Sequence, residues 1–200
     1  MTYIYFSGED DLSEALAMRC VRYILPNFEF VNIRPRQGGI EGVRDKLQSY
    51  VAMALRDPLM VMIDQDKASC APTRRQKFMD SAGVKSLPKN MVFSVVTQEA
   101  ESWVLGDREG LARFLSAPTH QIPENPEILL DPKAEIIAIA SKGGKFREKI
   151  CPKPNTSARV GPDYNNVLCD FVLNHWHLPI AADKCPTLKR TLRRLEELKG

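Results

Sequence analysis

The residues with the most chemistry to offer are acids that follow apolar runs. Tyr3-Ile4-Tyr5-Phe6 leads through Ser7-Gly8 into Glu9-Asp10-Asp11, and Leu59-Met60-Val61-Met62-Ile63 leads into Asp64-Gln65-Asp66. If both runs are neighbouring strands of an open parallel sheet, their acids gather beyond its carboxyl edge, where such sheets bind ligands. Mutual repulsion would raise the pKa of some of these carboxyls, and a hard divalent cation is the usual remedy. Oxygen donors without a matched set of cysteine and histidine favour Mg2+ or Mn2+ over zinc. Glu99 and Glu101 follow a further apolar run. They are expected on the same edge, as ligands of a second cation or as groups that orient the first.

Each of these acids also has a purely structural explanation. Asp64 and Asp66 suit an exposed turn at a strand end. Glu9 to Asp11 suit the start of a helix, with Asp11 or Ser13 as the cap and Glu14 closing a capping box on Asp11. Glu99 and Glu101 suit the opening of a helix that carries Trp103 and Leu105 into a core.

The elements that must position these residues are legible in the hydrophobic pattern. Tyr3 to Phe6 reads as a strand. Leu12, Leu16, Cys20, Tyr23 and Ile24 then recur at helical spacing until Pro26. Phe28 to Ile33 is a second strand. Gly38-Gly39 opens a helix whose apolar stripe is Ile40, Val43, Leu47, Val51, Ala54 and Leu55. The continuous run from Leu59 to Ile63 fits a strand covered on both faces of a parallel sheet. A polar helix around Thr73 to Ser81 and a fourth strand, Met91 to Val96, follow. The alternation predicts an α/β fold: a mostly parallel, Rossmann-like sheet flanked by helices. Five of the 14 prolines precede residue 117 and nine follow it, so the chain is expected to divide into an α/β domain (1–117) and a loop-rich helical extension packed on it (118–200). Helices are expected there over 133–141, 163–175 and 187–198.

The cations are unevenly placed. The net charge of +3 combines an acid-rich start with basic stretches from Lys133 to Arg159 and from Lys184 to Lys199. Lys142, Lys145, Arg147, Lys149, Lys153 and Arg159 make a glycine-containing basic loop suited to a nucleic-acid backbone. Arg34 and Arg36 lead into Gly38-Gly39, where amides at a helix start could hold a phosphate or simply form a turn.

Composition removes several classes. At 44% hydrophobic and 26% charged, the chain is of the globular type. No apolar run approaches the ~20 residues of a membrane span, so no membrane partner is expected. The first residues lack a signal-peptide pattern, and the five cysteines include no C-x-x-C pair, which together predict a cytoplasmic protein without a disulfide framework.

A strand ending in a glutamate, then a helix, then a strand ending in Asp-x-Asp resembles the Toprim domain of topoisomerases, bacterial primases and overcoming-lysogenization-defect type nucleases. The segment from Glu99 to Glu109 resembles the E-x-W-[LI]-L-x-D-x-[ED] stretch of the DUF4276-like branch of that superfamily, a group of uncharacterised bacterial proteins. Asp131-Pro132-Lys133 and Gly161-Pro162-Asp163-Tyr164-Asn165 resemble further segments of it. The resemblance implies a Mg2+-dependent nuclease, in which Asp64 and Asp66 hold the cation and Glu9 is a further ligand or the proton acceptor for an attacking water. It also implies a role in phage defence or DNA maintenance, often beside an ATPase; with no Walker motif here, ATP dependence would come from a partner subunit. The family pattern is Glu-Gly, whereas Gly8 precedes Glu9. In the alternative register Ser7 stands where the glutamate belongs, and the chain is then a non-catalytic nucleic-acid or partner-binding module with a decayed site. A receiver-like phosphoacceptor fits the acids too, but no lysine follows a fifth strand where that plan needs one.

Overall fold

The computed structural model describes residues 2–35, 38–66 and 69–199. The chain forms two compact units, one of Met1–Thr97 with Thr187–Gly200 and the other of Gln98–Pro186.

The first unit carries the sheet. Its elements alternate: β1 (Thr2–Gly8), α1 (Asp11–Ile24), β2 (Phe28–Asn32), α2 (Gly39–Ala54), β3 (Leu59–Asp64), α3 (Ala71–Ser81) and β4 (Met91–Val96). All strand pairs are parallel, in the order β2-β1-β3-β4. The chain steps from β1 outward to β2, then returns across β1 to β3. With right-handed crossovers, that reversal puts the covering helices on opposite faces. Leu59, Val61 and Ile63 pack with Val43, Leu47 and Tyr50 of α2 and Phe78 and Met79 of α3. The alternate residues Met60 and Met62 turn to the other face, where α1 buries Leu12, Leu16 and Cys20. All five residues of Leu59–Ile63 are fully buried, as their unbroken apolar run requires.

Two details of the helices differ from the hydrophobic pattern. Tyr23 and Leu55, expected in buried stripes, are 56% and 70% exposed. Tyr23 sits in the last turn of α1, and Leu55 lies one residue beyond the end of α2. The cap of α1 is Asp10, whose carboxylate accepts the Ser13 amide at 2.8 Å. With Asp10 as the cap, the helix starts one residue earlier than a cap at Asp11 would place it.

The second unit is helical: α4 (Glu101–Gly106), α5 (Arg108–Leu115), α6 (Pro132–Ser141), α7 (Arg147–Ile150), α8 (Tyr164–Asn174) and α9 (Leu178–Lys184). It begins at Gln98, not after residue 117, because α4 packs against α6 and α9. The prolines mark loops inside this unit rather than its border. A Cβ on Gly106 would stand 2.7 Å from the Cys185 sulfur and 3.1 Å from Ala181, so glycine is what lets α4 and α9 approach. The last helix, α10 (Pro186–Glu196), belongs with the first unit, where Thr191 Oγ1 meets Ser94 Oγ of β4 at 2.7 Å. Among the described residues no helix is long and apolar enough to cross a membrane.

Asp107 is fully buried, yet its carboxylate is satisfied: it accepts the Gly110 amide at 3.0 Å, capping α5, and the His177 amide at 2.8 Å. Asp131 caps α6 in the same way through the Ala134 amide, but in solvent. Removing a buried acceptor strands its donors, whereas water replaces an exposed one. Asp107→Ala is therefore expected to lower the unfolding free energy by roughly 2–4 kcal/mol and Asp131→Ala by about 1 kcal/mol. Urea denaturation measures both, and equal losses would contradict this account.

Candidate functional site

β1 and β3 are neighbours, with Ser7 opposite Val61 and Gly8 opposite Met62, and β3 runs two residues further to Asp64. This is the point where the chain's direction across the sheet reverses, the position at which open α/β sheets bind ligands. A Cβ on Gly8 would stand 2.6 Å from the Phe6 ring, which is itself fully buried, so a side chain here would have to displace that ring. Glu9 then crosses the gap, and its Oε1 accepts the Asp64 amide at 2.8 Å. The Gly39 amide, at the start of α2, donates to the Glu9 carbonyl oxygen at 3.3 Å.

Ser7 has a different job. It is fully buried, and its hydroxyl donates to Tyr50 Oη at 3.1 Å, which in turn donates to the Ile33 carbonyl oxygen at 3.2 Å. That chain ties β1 to α2 and to the end of β2. Of the two candidates, Glu9 is the one that reaches the end of β3.

Beyond β3 the chain turns through Asp66 at φ 52, a left-handed conformation that aspartate tolerates better than most side chains. Arg74 of α3 holds this turn. Its Nε donates to the Asp64 carbonyl oxygen at 3.1 Å, and its Nη2 meets Asp66 Oδ2 at 2.6 Å. Sequence reasoning missed Arg74. The only signal for it was a cation on the polar helix that follows Asp66.

The charges around Glu9 are unbalanced. Its carboxyl is raised from 4.5 to about 7, chiefly by burial, then by the charges of Asp66 and Asp10. The Asp64 amide and the Arg74 guanidinium oppose this shift without cancelling it.

The other predicted residues fall elsewhere. Arg34 lies against the start of α1, with Nη2 at 2.5 Å from Asp11 and 3.9 Å from Glu14. Arg36 lies outside the described residues. In the second unit, Glu99 and Glu101 share one lysine: Lys133 Nζ is 3.6 Å from Glu99 Oε1 and 3.5 Å from Glu101 Oε1. Glu101 is 3% exposed and also accepts the Tyr164 hydroxyl at 3.0 Å. These contacts give α4, α6 and α8 a common polar junction. No local pattern encodes it, because the partners are far apart in the chain.

The basic stretch is not one loop. Lys142 ends α6, Lys145 lies over the Phe146 ring, and Arg147 begins α7. Lys149 pairs with Asp163 at 3.0 Å, and Arg159 faces Asp131 at 3.9 Å.

As donors, Glu9, Asp64 and Asp66 suit a hard cation such as Mg2+, and the excess negative charge that raises Glu9 is what a cation would offset. Among the described residues, however, no three acid, histidine or cysteine side chains are gathered so as to hold a metal ion. Asp66 is turned to Arg74, so a complete ligand set requires that ion pair to open. Comparison with protein-family models finds no match, and comparisons with curated proteins and with solved structures find none either.

A carboxyl that titrates near 7 in the folded chain and near 4.5 unfolded penalises folding. The penalty is absent below 4.5, grows as pH rises to 7 and is complete above it. Its size is roughly 2 kcal/mol, allowing for the solvent that reaches a half-buried group. Glu9→Gln keeps an oxygen for the Asp64 amide and removes the charge. The variant is expected to match the wild type in urea at about pH 4.5 and to be the more stable at about pH 8, a pair of conditions that brackets the shift. A variant less stable at the higher pH would contradict this assignment.

Proposed function

We propose that this chain is a Mg2+-dependent nuclease that hydrolyses nucleic-acid phosphodiesters at the β1/β3 edge. The observation that carries the reading is the approach of Glu9 to the end of β3, which puts an acid that titrates near 7 beside Asp64. Bound Mg2+ would offset the charge on the phosphate oxygens. Asp64 and Asp66 would hold it, with Asp66 released from Arg74. Glu9 has the pKa suited to taking a proton from an attacking water near neutral pH. Arg74, once freed, would stand where a substrate phosphate needs a cation. Lys142, Lys145, Arg147, Lys149 and Arg159 of the second unit are the proposed backbone contacts of the nucleic acid. The resemblance to the Toprim superfamily supports the same reading, together with a cytoplasmic role in phage defence or DNA maintenance beside an ATPase subunit.

One observation favours a second reading. The Asp66–Arg74 ion pair closes the edge without a cation, as in a nucleic-acid or partner-binding module whose site has decayed.

Calorimetric titration of Mg2+, with and without a short oligonucleotide, tests both. The nuclease reading predicts saturable binding that Asp64→Asn abolishes. It also predicts a cleavage rate that falls up to about tenfold per pH unit below 7, because Glu9 must be unprotonated to accept the proton of the attacking water. Cleavage should drop by at least about a hundredfold in Glu9→Gln. An oligonucleotide that binds without Mg2+ and is never cut would establish the second reading.

A further inference from the structure

The sheet of the first unit has two borders, β2 and β4, and among the described residues no strand pairs with the outer edge of β4. The Leu59 and Gln65 amides donate to the Asn90 and Val96 carbonyl oxygens at 3.0 and 2.8 Å. In a parallel ladder this fixes the alternation: even-numbered residues of β4 turn their backbone groups to β3, and Phe93 and Val95 turn theirs outward. An open edge is a template for another strand, and proteins usually blunt it or cover it. Here it forms the floor of a groove of about 690 Å3 between α3 and α10.

The walls of that groove are cationic. Arg75 comes from α3, Arg190 and Arg194 from α10, and Lys85 from the connection into β4, and no acid is part of the lining. Arg194 has Glu197 beside it at 2.5 Å. Arg75, Lys85 and Arg190 have no acid partner among the described residues. Burial and the Arg194 guanidinium together lower the Arg75 pKa, the response of a cation held near another without an anion between them.

We propose that this groove takes an extended acidic segment of a partner protein, which adds to β4 as a fifth strand. Its backbone bonds to Phe93 and Val95, and its carboxylates meet Arg75, Arg190 and Arg194. Main-chain bonds supply affinity in this mode of recognition and the flanking side chains supply selectivity. A second copy of the chain fits poorly, because pairing edge to edge would set the same arginines against one another. A single-stranded nucleic acid would satisfy the arginines and leave the backbone groups of Phe93 and Val95 without ladder partners.

The test uses the full chain and a fluorescein-labelled peptide of alternating glutamate and valine, six residues long like β4. Fluorescence anisotropy should show saturable, salt-sensitive binding that weakens at least about tenfold in Arg75→Ala/Arg194→Ala. The same peptide with lysine in place of glutamate should not bind, nor should a version N-methylated on alternate residues. Amide exchange at Phe93 and Val95 should slow when the peptide is added to the wild type, a readout that needs no variant. An N-methylated peptide that binds like its parent would overturn the proposal. So would an unprotected β4 edge in the presence of bound peptide, or no peptide binding at all. Oligothymidylate binding lost in the same double variant, without peptide binding, would make the groove a nucleic-acid channel instead.

Discussion

The parallel pairing of β1 with β3 is the constraint on which the candidate site depends. Glu9 reaches the Asp64 amide because Gly8, the last residue of β1, is opposite Met62, two residues before β3 ends at Asp64. A two-residue slip would move Glu9 about 6.6 Å along the sheet and out of reach. Three features hold the register. Leu59 to Ile63 must be covered on both faces, which sets β3 in the middle of the sheet. The Ser7–Tyr50 hydrogen bond anchors β1 to α2. The missing Cβ of Gly8 leaves the room that the Phe6 ring occupies. Packing thus builds the edge, and the acids follow from where the strands stop.

What distinguishes Glu9 from its neighbours is the way each charge is matched. Asp10 caps a helix, Asp11 meets Arg34, and Asp66 meets Arg74. Glu9 has a backbone amide in place of a cation, and it carries the repulsion of Asp10 and Asp66 as well as the cost of burial. A carboxyl kept this way works against folding at neutral pH. Such local destabilisation is the pattern expected of a group retained for chemistry or for a ligand. Asp107 makes the contrast: it is more deeply buried, but two amides satisfy it and it has the role of a cap.

Much of the sheet was legible in the sequence because apolar periodicity is a local signal. The run from Leu59 to Ile63, the helical stripe through Leu12, Leu16 and Cys20, and Gly38-Gly39 at the start of α2 are each local marks of their element. The site was legible only as far as the strand ends. That Glu9 and not Ser7 meets Asp64 depends on the turn after Gly8, which composition does not encode. Arg74 and Lys133 were missed for another reason: a cation on a polar helix is ordinary until the fold brings an acid to it. The short helices α5 and α9 were missed as well. α5 is too short to display a full hydrophobic repeat, and α9 contains Pro179, which is tolerated in its first turn and reads as a loop. The division near residue 117 mistook proline-rich loops for a boundary, when the packing of α4 with α6 and α9 sets it at Gln98.

The most direct test is the titration of the Glu9 side-chain carbon by NMR, followed with and without Mg2+. The account predicts a midpoint near 7 in the free protein, moved to lower pH when Mg2+ is present. A midpoint near the ordinary 4.5, unmoved by Mg2+, would contradict it, because Glu9 would then be a solvated acid and not a charge held in waiting for a cation.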